Sequence, residues 1–163
     1  EFLVNKGNGG RDMDGRTLFF YLATVNTPAM ALEIPGVGSQ YAFSSRDGSG
    51  AYLNGSNTYK LNIPANPPAQ KFWSFVVYDP QTRSMLQTGE MPYPSKNNKR
   101  NADMVKNADG SIDLYFGPQA PAGMEANWVK TVPGKGWFGI FRLYGPGQQW
   151  FDRTWKLGNI EKV

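Results

Sequence analysis

The side chains able to do chemistry in this sequence are carboxylates, amines, guanidiniums, phenols, indoles and hydroxyls, because histidine and cysteine are both absent. An imidazole base, a Ser-His-Asp triad, a thiol nucleophile and a thiolate metal site are therefore excluded for this chain. Paired carboxylates remain as the acid–base option. Asp79 closes one strongly apolar run and Asp113 lies within another, each beside a tyrosine, Tyr78 and Tyr115. Together with Arg142 these are the candidate catalytic groups, for a hydrolase or lyase acting on a polysaccharide. Each also has a plainer reading. Asp79-Pro80 initiates a turn, and Asp113 is a solvent-facing strand residue. Arg142 stands between Phe141 and Leu143, on the face shared by Phe138, Ile140 and Tyr144. A buried guanidinium needs a carboxylate partner. Asp79 is the expected one if the two apolar runs are neighbouring strands. Otherwise Arg142 is a clamp for the carboxylate or phosphate of a ligand.

Binding needs less chemistry than catalysis, and aromatic side chains supply it. Trp150, Phe151 and Trp155 flank Asp152 and Arg153 near the C-terminus. Exposed indole and phenol faces stack on sugar rings, while aromatics near a terminus also pin a tail onto a core. Arg142, Trp150, Trp155, Tyr78 and Tyr115 form the candidate ligand-binding set. One basic cluster, Lys96, Lys99, Arg100 and Lys106, lies among Asn97, Asn98 and Asn101. It reads as a solvated loop or as a contact for an anionic glycan or headgroup. No nucleic-acid module is recognisable, so no nucleic-acid partner is expected. Gly134-Lys135-Gly136 lacks the spacing of a phosphate loop. An oxygen-only calcium site around Asp47 and Asn54 lacks EF-hand spacing. No metal or cofactor is expected.

These groups need a scaffold, and the sequence points to β structure. With 163 residues, 19 Gly, 12 Pro and 14% aromatics, the chain suits one turn-rich domain with a substantial core. The net charge of +4 is mild and favours an anionic partner over a cationic one. No run approaches the ~18 apolar residues of a membrane span. Residues 1–14 read as an arm or linker from a preceding region, and 15–163 as a single β-sandwich domain. Asp12 or Asp14 caps a helix over about 15–25, with Leu18, Phe19, Leu22 and Val25 on one face. Pro28 suits the start of a second short helix. Strands are expected at 40–44, 51–53, 58–63, 72–78, 83–88, 104–106, 111–116, 128–132 and 137–144. Residues 92–103 read as a long polar loop. Tyr59, Leu61 and Ile63 alternate with Lys60 and Asn62, which marks a half-buried strand. The runs 72–78 (FWSFVVY) and 137–144 (WFGIFRLY) are apolar on both faces, which marks central strands. About eight strands at this spacing suit a sandwich or jelly roll.

Four blocks carry a resemblance: TLFFYLATVNTPAMA (17–31), KFWSFVVYDPQTRSMLQT (71–88), NADGSIDLYFGPQAPAGMEANWVKTVPGKGW (107–137) and RLYGPGQQWFDRTWKLGNIE (142–161). From about residue 15 onward the chain resembles the bacterial family known as domain of unknown function 1214. The resemblance implies a jelly-roll-like antiparallel β-sandwich with one or two N-terminal helices. It also implies a place C-terminal to a partner domain, domain of unknown function 1254, in a longer and often exported protein, so a periplasmic or secreted location is expected. The arm and first helix are the expected junction, covered by that domain or by another copy of the chain. The resemblance supplies no established catalytic residues to carry over. The resulting expectation is an envelope-associated binding or assembly module for a glycan or other anionic polymer. A carboxylate-dependent enzyme and a structural oligomerisation domain are the rivals.

Overall fold

The computed structural model describes residues 10–23 and 33–163. The second short helix expected from Pro28 lies outside the described residues. Helix α1 spans Met13–Ala23. Asp12 caps it by accepting the Gly15 backbone N–H at 2.9 Å, as an N-cap carboxylate should. Leu18, expected on the buried face, is 51% exposed, and Met13, Phe20 and Tyr21 are exposed as well.

Among the described residues eight strands follow: β1 (Ser39–Ser44), β2 (Tyr59–Ile63), β3 (Ala69–Tyr78), β4 (Ser95–Asn97), β5 (Ile112–Gly117), β6 (Trp128–Lys130), β7 (Phe138–Pro146) and β8 (Ile160–Lys162). A short helix α2 spans Gln148–Phe151, and a single 3-10 turn covers Glu125–Asn127. The strands form two four-stranded sheets. Sheet I has the order β1-β7-β3-β4, and sheet II the order β6-β5-β2-β8. The two apolar runs are the central strands of sheet I, as their two-faced pattern requires. Sheet I is antiparallel throughout. Sheet II is mixed, because β6 pairs parallel to β5.

The sheets pack face to face as a sandwich. Sheet I contributes Trp73, Phe75, Val77, Phe141 and Leu143 to the core, and sheet II contributes Tyr59, Leu61, Ile63, Leu114 and Phe116. Phe75 and Phe116 meet across the layers with ring centroids 4.8 Å apart. Trp137 closes one end against Tyr59 and Phe116.

Several expected strands are thinner than their sequences suggest. Residues 51–53 and 83–88 make only one isolated bridge each, Arg46 to Tyr52 and Tyr78 to Met85. Residues 104–106 are irregular, although the turn after them forms as expected, with Gly110 N–H bonded to Asn107 O.

Candidate functional site

Period-two alternation decides which side chains leave sheet I on its outer face. From β3 these are Phe72, Ser74, Val76 and Tyr78. From β7 they are Phe138, Ile140, Arg142 and Tyr144, and from β1 Ser39, Tyr41 and Phe43. The register sets Tyr144 between Ser39 and Phe72, and Arg142 between Tyr41 and Ser74. Phe72 stacks on Tyr144 with centroids 4.1 Å apart, and Tyr78 stacks on Phe138 at 5.2 Å. Cross-strand aromatic pairs of this kind stabilise a sheet and hold their rings in fixed poses.

Arg142 rises between the two stacks. Its Nη2 donates to the Tyr78 hydroxyl at 2.6 Å. Its guanidinium carbon lies 5.5 Å from the Tyr78 ring centre and 5.9 Å from that of Tyr41. No ion pair joins it to a carboxylate among the described residues. The expected Asp79–Arg142 pair is therefore not formed, although β3 and β7 are neighbours. Arg142 projects from the outer face, whereas Asp79 lies past the end of β3 and is buried in the turn that follows.

The basic cluster divides. Lys96 pairs across from Phe75, so it shares the inner face and is 8% exposed. Burial pulls its ammonium below the usual lysine range, partly offset by Asp103. Lys99 instead reaches the outer face, with Nζ 5.4 Å from the Phe72 ring centre. Arg100 lies beside it over Tyr93 at 5.3 Å. Three asparagines fix this turn. Asn97 Oδ1 accepts the N–H groups of Lys99 and Arg100, Asn101 Oδ1 accepts that of Asn97, and Asn98 Oδ1 accepts the Trp73 N–H of β3 at 2.9 Å. The stretch read as a long polar loop thus contains β4 and a built turn.

The remaining candidates lie elsewhere. Asp79 Oδ1 accepts the Gln81 N–H at 2.8 Å, and Oδ2 takes the Lys135 ammonium at 2.5 Å. The Lys135 bond, then the Gln81 bond, hold its carboxyl below the usual range against the opposing effect of burial. Asp113 lies on the outer face of sheet II, where Asn62 donates to it at 2.7 Å and Lys60 stands at 3.7 Å. Tyr115 lies on that same far face, cross-strand from Lys60 and Trp128. The three candidate catalytic groups therefore occupy three separate places. Trp150 is buried at 5% exposure and offers no ring face to a ligand. Trp155 packs against Phe141 and Trp150 and donates its indole N–H to Ala65 O. Both tryptophans pin the C-terminal segment to the core. Of the five binding candidates, Arg142 and Tyr78 come together on the outer face of sheet I, whereas Trp150 and Trp155 meet each other at the core. Tyr41, Phe72, Phe138, Tyr144 and Lys99 join the Arg142–Tyr78 pair. The alternation of the two central strands was the signal for Phe72, Phe138 and Tyr144.

A family profile matches residues 38–148. The chain belongs to that family, Protein of unknown function (DUF1214). The match covers β1 to β7 and ends at the first residue of α2, leaving β8 outside it. No curated protein matches the DUF1214 chain. Among solved structures, it is similar to the VPA0106 protein from Vibrio parahaemolyticus, with 24% identity and a TM-score of 0.69 over 96% of this chain. A second similar structure is a putative uncharacterized protein from Burkholderia cenocepacia, with 19% identity and a TM-score of 0.47 over 97% of this chain. The Vibrio likeness speaks for the fold alone. The DUF1214 chain spans 36% of the Vibrio protein and 45% of the Burkholderia one. Among the described residues, no helix is long and apolar enough to cross a membrane.

Proposed function

We propose that this domain is a binding module that lays a stretch of anionic glycan, or another anionic polymer, along the outer face of sheet I. The observation that supports the reading is Arg142. It stands among stacked aromatic rings, hydrogen-bonded to a phenol and joined to no described carboxylate. A guanidinium offers five N–H donors in a rigid fork suited to carboxylate or sulfate oxygens. The flanking rings of Tyr41, Phe72, Phe138 and Tyr144 are half-buried, so each keeps some surface for a sugar ring. Lys99 supplies a second cation at the Phe72 end. An envelope-facing, exported location belongs to the same proposal and is checked by fractionating cells that make the native protein.

Titration calorimetry against acidic polysaccharides (alginate, polygalacturonate, heparin), with dextran as the neutral control, tests the binding. At least one acidic polymer is expected to bind, more weakly as salt rises. Arg142→Gln is expected to weaken binding by about tenfold or more, the scale of one charge-assisted hydrogen bond. Trp150→Phe is expected to leave it unchanged. Binding by none of the acidic polymers, or an Arg142→Gln protein within about twofold of native, sinks the proposal.

A further inference from the structure

The outer face of sheet I continues past β3 onto β4. Ser74 pairs with Asn97 and Val76 with Ser95, so these four short side chains share that face. The Val77 N–H donates to Pro94 O at 2.9 Å, which carries the alignment beyond β4 and brings Tyr93 level with Tyr78. Ser74 and Val76 are buried, so the strip between β7 and the β4 edge lies low. An arginine stands on each side of it, and each arginine lies beside a tyrosine. On the β7 side these are Arg142 and Tyr78. On the β4 side they are Arg100 and Tyr93, with the guanidinium carbon 5.3 Å from the ring centre. Tyr93 is 59% exposed, whereas the rings around Arg142 are half-buried.

The acids that flank Arg100 in sequence are engaged elsewhere. Glu90 is bonded to the Lys130 ammonium, and Asp103 acts on Lys96. Among the described residues, no ion pair or side-chain hydrogen bond holds the Arg100 guanidinium. β7 and β4 are two strand spacings apart, about 10 Å. One acid group does not reach across that distance, but a chain with repeated acid groups does. Once one group is held at Arg142, the second contact becomes intramolecular and strengthens binding. The guanidinium fork suits a planar carboxylate, and the open Tyr93 ring suits the face of a sugar. A nucleic acid also offers anions and stacking faces, but its backbone calls for a longer tract of cations than Lys99, Arg100 and Arg142 supply.

We propose that Arg100 and Tyr93 form a second acid-group subsite, and that a carboxylate-bearing polysaccharide crosses β3 and β4 between Arg142 and Arg100. This rests on the binding proposed above and adds the class of its acid group, its direction and its second anchor. Calorimetric titration of the full chain with hexagalacturonate tests it, with heparin and oligothymidylate run beside it. Arg100→Gln and Tyr93→Ala are each expected to weaken hexagalacturonate binding by about tenfold. Both side chains are exposed, so thermal melting is expected to show native folding. Lys162→Gln, the same charge change on sheet II, is expected to stay within about twofold of native. A chain laid along β3 toward Phe72 would depend on Lys99 instead, so Lys99→Gln is expected to cost less than Arg100→Gln. If Arg142→Gln weakens binding while Arg100→Gln and Tyr93→Ala both stay within about twofold of native, the second subsite is overturned and the binding face stands. A Lys99→Gln loss larger than that of Arg100→Gln overturns the direction. Binding of heparin but not hexagalacturonate, or of oligothymidylate as tightly as hexagalacturonate, overturns the carboxylated glycan. Binding of no acidic polymer removes the face and the subsite together.

Discussion

Asp79 ends β3 with both carboxylate oxygens committed, Oδ1 to the following turn and Oδ2 to Lys135. The Asp-Pro dipeptide made the turn legible in sequence. The partner was not, because Lys135 arrives from a loop 56 residues away. The depressed folded pKa has a definite consequence for stability. A carboxylate held below its ordinary value of 3.8 stabilises the fold above that pH. The contribution is lost as pH falls through the folded-state value. Lys135→Met should therefore lower the melting temperature at neutral pH, and the gap between variant and native should close as pH drops below about 4. Thermal melts from about pH 2 to 7 read this directly. A gap that stays constant across the range would show that the Asp79–Lys135 pair has no part in stability. Arg142 teaches the converse. Its face was legible from alternation, but the choice of a phenol over a carboxylate depends on which way the chain turns after Tyr78.

The long strands were legible because five to ten residues give alternation room to show; β2, β3, β5 and β7 all fall close to their expected spans. β4 and β8 have three residues each, too few for a period of two to rise above chance, whereas the equally short β6 falls inside the expected 128–132. The parallel β5–β6 pair was hidden for a further reason: its connection is held by one side chain. Asn127, 1% exposed, accepts the Val105 N–H and donates to the carbonyls of Val105 and Asp113. It satisfies three backbone groups that no strand reaches. Asn127→Ala would remove the partner of all three at once, and a loss of about 1–3 kcal/mol is expected by urea denaturation. Glycines set two other close approaches. A Cβ at Gly55 would run into the backbone carbonyl of Val132, and one at Gly139 would overlap the Phe75 ring. Backbone yields less than a ring edge, so Gly55→Ala should destabilise more than Gly139→Ala in the same assay.

Across the whole molecule, the inner-face aromatic residues build one continuous core. Phe116 touches Phe75 of the opposite sheet and Trp137 at the closed end. Phe116→Ala should cost about 3–5 kcal/mol. Near-ultraviolet and far-ultraviolet circular dichroism should lose their signals together, as one cooperative unit; separate transitions would mean that the sheets unfold independently. The sandwich itself was legible from turn spacing and two-faced strands. The sides on which the candidate residues would meet were not, because they depend on strand order. Strand order sends Arg142 and Tyr115 to opposite faces, and it turns the basic stretch around 97–101 toward the aromatic face. That stretch is stapled to the central sheet, since Asn98 takes the Trp73 N–H where no further strand does. In the proposed binding mode the backbone of Lys99 and Arg100 is therefore placed before a polyanion binds, and its ordering entropy belongs to folding rather than to association. Asn98→Ala keeps every charge and removes only the staple. Stopped-flow measurements on an acidic polysaccharide should find its encounter rate near native, since long-range attraction is unchanged, and its residence time shortened.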